Sequence, residues 1–526
     1  MSKRLLKSGI IVSAMTLVSR VLGLVRDVVI ARFMGTDAGA DVFFFANKIP
    51  NFLRRLFAEG AFAQAFVPVL SEYQSKDDND RHTRELIAKV SGTLGVILTI
   101  VTLLGVIASP VLVALFGFGW FLDWVNGEPG AEKFELASLL LKITFPYLWF
   151  ISLTALAGAI LNTLGKFAAA AFTPVLLNVA IILAAIIGAD YFEEPAFALA
   201  WGVFFGGLIQ FLFQIPFLLR ANSLVAPSWG WQHPGVKKIR KLLIPALFGV
   251  SVTQINLLLD TLIASFLVTG SISWLYYADR LLEFPLGLFG IGIATVILPS
   301  LSRLHAKQNP QEFSQTLSWA LRIVSLLGWP ALAGLLILAQ PIIMVLFMRG
   351  EFSQQDVIQV SMALYAYLCG LVSFMFIKVL APGFYARQDT KTPVKIGIIA
   401  MIANMVFNLS LAPFLGFVGL ALATAMSATL NAFLLYRGLK SLGVYQLEKE
   451  TVLVIAKMIG SALIMTLVLW QFTPAFDAWL SVSLLTQVSW LSGLIFLGAG
   501  VYLVCLLLTG MRLRHFIVNS GEITAN

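Results

Sequence analysis

Residues 10–32 read Ile-Ile-Val-Ser-Ala-Met-Thr-Leu-Val-Ser-Arg-Val-Leu-Gly-Leu-Val-Arg-Asp-Val-Val-Ile-Ala-Arg. A helix needs about 20 mostly apolar residues to cross a bilayer, and this run supplies them. Arg20, Arg26, Asp27 and Arg32 nevertheless interrupt it. A cation near the centre of a membrane helix costs about 2.5–3.5 kcal/mol on insertion scales, so such side chains turn towards a water-filled cavity, an opposite charge or an anionic ligand. The stretch therefore predicts a membrane helix that lines a polar chamber.

The rest of the chain has the same character. Of its 526 residues, 59% are hydrophobic and 12% charged, with a mean hydropathy of +0.89. A soluble domain carries about 25% charged residues, so these values predict an all-α polytopic membrane protein. The start Met-Ser-Lys-Arg-Leu-Leu-Lys resembles a signal peptide, but Arg20 breaks the apolar region early and no soluble domain follows, which favours a first membrane helix. Apolar runs predict fourteen spans, at 9–33, 41–72, 90–116, 134–161, 168–188, 196–219, 242–267, 273–301, 323–347, 357–384, 396–413, 416–436, 452–472 and 484–509.

Charge sets the expected orientation. With both termini cytoplasmic, twenty-four of the 36 Lys and Arg residues fall in inner connections and only Lys133 and Arg349 in outer ones. The net charge of +9 then reflects membrane topology, and no basic domain with interleaved aromatics suggests nucleic acid as a partner. Cys369 and Cys505 lie in apolar runs, and His82, His233, His305 and His515 lie in basic connections or the tail, so neither a disulfide framework nor a Cys/His metal site is expected. There is no P-loop and no nucleophile constellation, so the chain is expected to be no enzyme and to need no organic cofactor.

The chain also repeats itself. Asp41–Lys48 through Phe66–Tyr73 echoes Ser273–Arg280 through Ile297–Arg303, and the stretch from Gly158 to Pro174 echoes that from Pro382 to Pro393. The offset is six spans, an even number, so the halves keep one orientation. This predicts two six-helix lobes, 1–222 and 223–445, related by a pseudo-two-fold axis along the membrane normal. Residues 446–526, with two extra helices and a cytoplasmic tail, follow outside the repeat.

Ten cations lie within spans: Arg20, Arg26, Arg32, Lys48, Arg54, Arg55, Lys142, Arg280, Lys378 and Lys457. Arg20 and Asp27 are seven apart and share a helix face, and Asp41, Lys48, Arg55 and Glu59 form a second stripe beside Asn51 and Arg54. Arg280, next to Asp279, matches Lys48 in the repeat. Guanidinium forks suit phosphate and carboxylate oxygens, so an alternating-access transporter of an anion, a phosphate or diphosphate above all, is the expected function. The alternative is that these charges pair off to hold helices together or snorkel at their ends. On the transport reading, Arg20, Arg26, Asn51, Arg54 and Arg280 bind substrate. Asp27, Asp41, Lys48, Arg55, Glu59 and Asp279 are gate or charge partners. Lys142, Lys378 and Lys457 have no assigned role, and Arg32 falls near the outer interface.

Four motifs carry a family resemblance: Ser19–Asp27, Asn47–Phe62, Tyr276–Pro285 and Lys378–Pro393. They resemble the MurJ/MviN family of bacterial lipid II flippases. The resemblance implies the fold of the multidrug/oligosaccharidyl-lipid/polysaccharide exporter superfamily, the bacterial inner membrane, and an undecaprenyl-diphosphate-linked peptidoglycan precursor as substrate. It also implies cavity residues at Arg20, Arg26, Asp41, Asn51, Arg54, Glu59, Asp279 and Arg280, and a groove for the lipid tail in the last two spans. Membrane lipids and the cell-wall synthesis machinery are the other expected partners, with a monomer as the working form. A flippase for another polyprenyl-diphosphate glycan and a cation-coupled drug antiporter are the alternatives.

A further polar set comprises Asp260, Asn404, Asn408 and Thr424. Carboxylate, amide and hydroxyl oxygens suit a hard cation, and the resemblance suggests Na+ as coupling ion. An interhelical hydrogen-bond cluster is the alternative.

Overall fold

The computed structural model describes residues 3–55, 61–76, 81–188, 191–287 and 291–511. Every regular element among them is helical. This is what a bilayer demands, because a helix satisfies its backbone groups internally. Eight described helices are long and apolar enough to cross a membrane, or ten if two sharply bent pairs count as single spans. The sequence-derived spans that fall short are 9–33, which carries clustered charges, 41–72 and 273–301, which also run through residues outside the described set, and 242–267, of which only Ile255–Ala264 counts as a shorter apolar helix. The count of fourteen is therefore not reached by this measure.

Two compact units divide the chain: Met1–Ser273 with the short segment Arg349–Phe352, and Trp274–Met348 with Ser353–Asn526. The first unit holds α1 (Lys3–Met34), α2 (Ala38–Arg54), α3 (Ala61–Lys76), α4 (Arg81–Ile107), α5 (Ser109–Phe116), α6 (Phe118–Asn126), α7 (Ala131–Thr144), α8 (Tyr147–Thr163), α9 (Phe167–Gly188), α10 (Pro195–Arg220) and α11 (Pro234–Ala264). The division into 1–222 and 223–445 rests on internal repeats rather than contacts. By contacts, α11, at the start of the second repeat, packs against α2 to α6 inside the first unit.

Small residues set the closest approach here. A Cβ on Gly206 of α10 would lie 2.7 Å from a Leu177 methyl on α9, and one on Gly202 would lie 2.7 Å from Ala184 Cβ. Without a hydrophobic force between helices in lipid, such backbone proximity carries the packing. Phe62, Phe66, Leu70, Leu86, Ile87, Leu156 and Ile160 gather into one core. Between α5 and α6 the chain turns through 105° at Gly117.

The second unit begins within α12 (Ser271–Pro285) and continues with α13 (Ile291–Ala306), α14 (Pro310–Phe347), α15 (Gln354–Leu368), α16 (Leu371–Tyr385), α17 (Lys391–Ser441), α18 (Lys449–Phe472), α19 (Phe476–Leu480) and α20 (Leu484–Leu508). Gly416, at φ +56° and ψ −134°, breaks α17 where the sequence separates spans 396–413 and 416–436. A core of Leu301, Phe313, Leu317, Val324, Met375, Val379, Phe384 and Leu439 sits among α13, α14, α16 and α17.

Helices α18 and α20 dock on α14. Arg322 donates through Nε and Nη2 to Thr451 Oγ1 at 3.0 and 2.8 Å and pairs with Glu450, while Tyr502 donates to the Leu326 carbonyl at 3.1 Å. The outer faces of these two helices keep Leu467, Trp470, Phe496, Leu507 and Leu508 exposed. An apolar surface of this extent belongs in lipid.

Candidate functional site

Within α1, Arg26 reaches its sequence neighbour: Nε and Nη2 donate to Asp27 Oδ1 at 3.0 and 2.7 Å. Its third nitrogen, Nη1, donates to Asn178 Oδ1 on α9 at 3.1 Å, and Asn178 Nδ2 returns to the Ser19 carbonyl of α1 at 3.1 Å. The Arg26 side chain is 13% exposed and that of Asp27 2%. A carboxylate this buried is tenable because it is both paired and hydrogen-bonded. Arg20, two turns earlier, is exposed.

In α2 the polar stripe divides. Asp41 is buried, and its carboxylate caps the start of α12: Oδ2 accepts from Gly270 N at 2.7 Å, and Oδ1 accepts from Ser273 N at 2.8 Å and Ser273 Oγ at 2.7 Å. The first N–H groups of a helix have no partner within it, so an outside carboxylate satisfies them and complements the helix dipole. Buried Lys133 supports the same corner, donating to Thr269 Oγ1 at 2.6 Å. Lys48 donates to Thr261 Oγ1 on α11 at 3.1 Å.

One turn on, Asn51 donates to the Asn47 carbonyl at 2.8 Å and accepts from Arg54 Nε at 3.1 Å. The amide thus aims the guanidinium. Arg55 is exposed, and Glu59 lies outside the described residues.

In the second unit Arg280 donates through Nη1 to Glu283 Oε2 at 3.0 Å, and its guanidinium carbon lies 5.5 Å from the Tyr276 ring centre. Asp279 is exposed beside it. Asn408 Nδ2 donates to Asn404 Oδ1 at 3.0 Å, and Asn404 Nδ2 to Thr424 Oγ1 at 3.4 Å. These three therefore form one connected set, while Asp260 belongs to the first unit. All the oxygens of this set are hard donors, which fits an alkali cation, although the hydrogen bonds already link them. No group of three or more His, Cys, Asp and Glu suited to a metal occurs among the described residues.

The sequence reading missed Asn178 and Glu283. Both had a signal: Asn178 is the one amide in span 168–188, and Glu283 stands three residues after Arg280, one helical turn.

The described residues thus make a polytopic helical protein in which α1, α2 and α12 carry oriented guanidinium groups. An inward-facing multidrug resistance MATE family transporter of the MOP superfamily shares the fold, with TM-score 0.67 and 14% identity over 82% of this chain and 97% of that one. A solved structure described as lipid II flippase MurJ, inward closed conformation, matches at TM-score 0.79 and 28% identity, covering 95% of this chain and 98% of its own. The family model described as lipid II flippase MurJ matches residues 30–489. The probable lipid II flippase MurJ of Vibrio cholerae is 64% identical over 514 residues, 98% of either chain. That of Haemophilus influenzae is 58% identical over 512 residues, 96% of this chain and 100% of the relative. The chain belongs to the MurJ family.

Proposed function

We propose that this chain is a lipid II flippase of the bacterial inner membrane, moving undecaprenyl-diphosphate-linked peptidoglycan precursor from the cytoplasmic to the periplasmic leaflet by alternating access. Arg20, Arg26, Arg54 and Arg280 hold the diphosphate, with Asn51 aiming Arg54. Asp27, Asp41, Lys48, Arg55, Glu59 and Asp279 serve as charge partners and gate residues. Both termini lie in the cytoplasm. The two-lobe arrangement of the repeats, fourteen spans, action as a monomer, contact with the cell-wall synthesis machinery, and coupling to Na+ through Asp260, Asn404, Asn408 and Thr424 belong to the same proposal.

The observation that carries this reading is the fixing of Arg26 by Asp27 and Asn178. A guanidinium clamped from two sides in apolar surroundings is oriented before substrate arrives, so little entropy is lost on binding. Its charge is balanced by Asp27 when the site holds no anion, which lowers the cost of keeping it in the membrane. A diphosphate offers oxygens to several forks at once, whereas a cationic drug would meet repulsion. The apolar faces of α18 and α20 suit the polyprenyl tail. The work is binding and exposure to alternate leaflets.

The test is rescue of a strain depleted of its lipid II flippase. Arg26→Ala, Arg54→Ala and Arg280→Ala should each abolish rescue, with precursor accumulating on the cytoplasmic side. Normal rescue by all three overturns the proposal.

A further inference from the structure

We infer that the connection between α10 and α11 forms a binding site for anionic phospholipid headgroups on the cytoplasmic leaflet. The inference rests on the orientation proposed above, and not on the choice of transported substrate.

Residues 223–230 run without helix and are seated on α4. Ser228 N donates to the Ala88 carbonyl at 2.9 Å, Gly230 N to Thr93 Oγ1 at 3.0 Å, and Lys89 Nζ to the Trp229 carbonyl at 3.3 Å. The fit is tight: a Cβ on Gly92 would lie 2.3 Å from the Ser228 carbonyl oxygen, and one on Gly230 would lie 2.5 Å from Lys89 Cβ. This strap is therefore held in one conformation, and it presents two indole rings outward. Trp229 is 54% exposed and Trp231 37%, with their rings stacked 6.1 Å apart at 10°.

Over Trp231, at 3.8 Å from the ring centre, lies the Arg240 guanidinium carbon. Stacking occupies the face of the guanidinium and leaves its in-plane N–H groups for oxygen acceptors. Its Nη1 is buried and finds no acceptor among the described residues. The neighbouring cations differ: Lys238 is paired with Glu72, whereas Lys237 and Lys241 are exposed. A rigid pair of exposed tryptophans suits the headgroup level of a bilayer, and a stacked arginine with lysines around it suits a phosphate there. An anionic glycerophospholipid supplies both features, the phosphate to Arg240 and the glycerol-ester region to the indoles.

The experiment is native mass spectrometry of the purified full-length chain with equal amounts of phosphatidylglycerol and phosphatidylcholine. The wild-type chain should retain phosphatidylglycerol preferentially. Arg240→Gln and Lys241→Gln should each reduce that preference about five-fold, the weight of one basic side chain at an anionic surface, with melting temperature unchanged. Trp231→Leu should lower retention of both lipids. Unchanged preference in Arg240→Gln and Lys241→Gln overturns the inference. So does displacement of the lipid by equimolar inorganic phosphate, which would make the site a free-anion site. Arg240 has no part in the diphosphate clamp, so either outcome leaves the flippase reading standing, and loss of rescue in the clamp variants says nothing about this site.

Discussion

Asn178 and Arg26 are locked together across two helices: the amide oxygen accepts from Nη1 at 3.1 Å while the amide nitrogen bonds the Ser19 carbonyl at 3.1 Å. One side chain thus fixes both the guanidinium and the backbone from which it springs. Asn178→Leu should release the α9 side of the Arg26 guanidinium and cost about 1–3 kcal/mol in lost charged hydrogen bonding. Affinity for lipid II should fall in Asn178→Leu, and the Asn178→Leu/Arg26→Ala double variant should bind no more weakly than Arg26→Ala. Additive defects would show that Asn178 acts independently of Arg26.

Asp41 accepts three hydrogen bonds at the start of α12. Asp41→Ala leaves two backbone donors and a hydroxyl without their acceptor, and should destabilise the chain by about 2–4 kcal/mol, more than Ser273→Ala, which removes only one bond. Thermal unfolding of the purified variants in detergent measures the order. Equal melting temperatures for Asp41→Ala and wild type would show that the cap contributes nothing.

Gly350 and Gly127 both have φ in the left-handed region, at +61° and +69°. A Cβ at Gly350 would lie 2.1 Å from the Arg32 carbonyl oxygen, whereas nothing lies within 4 Å of one at Gly127. Both Ala variants should lose about 1 kcal/mol from backbone conformation, and Gly350→Ala should lose substantially more, because Glu351 N also donates to that Arg32 carbonyl at 3.0 Å. Melting temperatures of the pair isolate the steric part.

Glu194 lies in the connection before α10, with its carboxylate and that of Asp37 converging on Gly39. Partial burial, then the negative charges of Asp37 and Glu193, push the Glu194 carboxyl above its ordinary 4.5. A raised folded value means that its favourable contribution is complete below the unfolded value and is lost as pH rises through the folded one. Stability should therefore fall across that window in wild type, and Glu194→Gln should flatten the profile and raise the melting temperature at neutral pH. An unchanged profile would remove Glu194 from the balance.

Sodium coupling has its own test. Flipping in vesicles should accelerate under an imposed sodium gradient in wild type and lose that response in Asn408→Ala. Flipping indifferent to the gradient would leave Asn404, Asn408 and Thr424 as a hydrogen-bond cluster alone.

Apolar length made most helices legible from sequence, and the break at Gly416 falls between two spans read as separate. Local charge pairing had a signal in adjacency or one helical turn, yet the sequence reading set Asp27 with Arg20 and Arg280 with Asp279, whereas the pairs are Arg26 with Asp27 and Arg280 with Glu283. Asn178 to Arg26 spans 152 positions and Asp41 to Ser273 spans 232, distances at which no periodicity speaks. Asp41 shows the consequence: a carboxylate on a polar stripe suggests a gate, yet its three bonds to α12 become visible only once the chain is folded. The 105° turn at Gly117 was also hidden, because glycine is common in membrane helices and does not announce a bend.

The most direct measurement is the affinity of the purified chain for lipid II, with Arg20→Ala, Arg26→Ala, Arg54→Ala and Arg280→Ala set beside Arg32→Ala, whose side chain is exposed next to Phe33. Loss of one charged hydrogen-bonding group is worth about 2 kcal/mol, so each clamp variant should bind about thirty-fold more weakly while Arg32→Ala binds as wild type does. Wild-type affinity in all four clamp variants would contradict the diphosphate clamp.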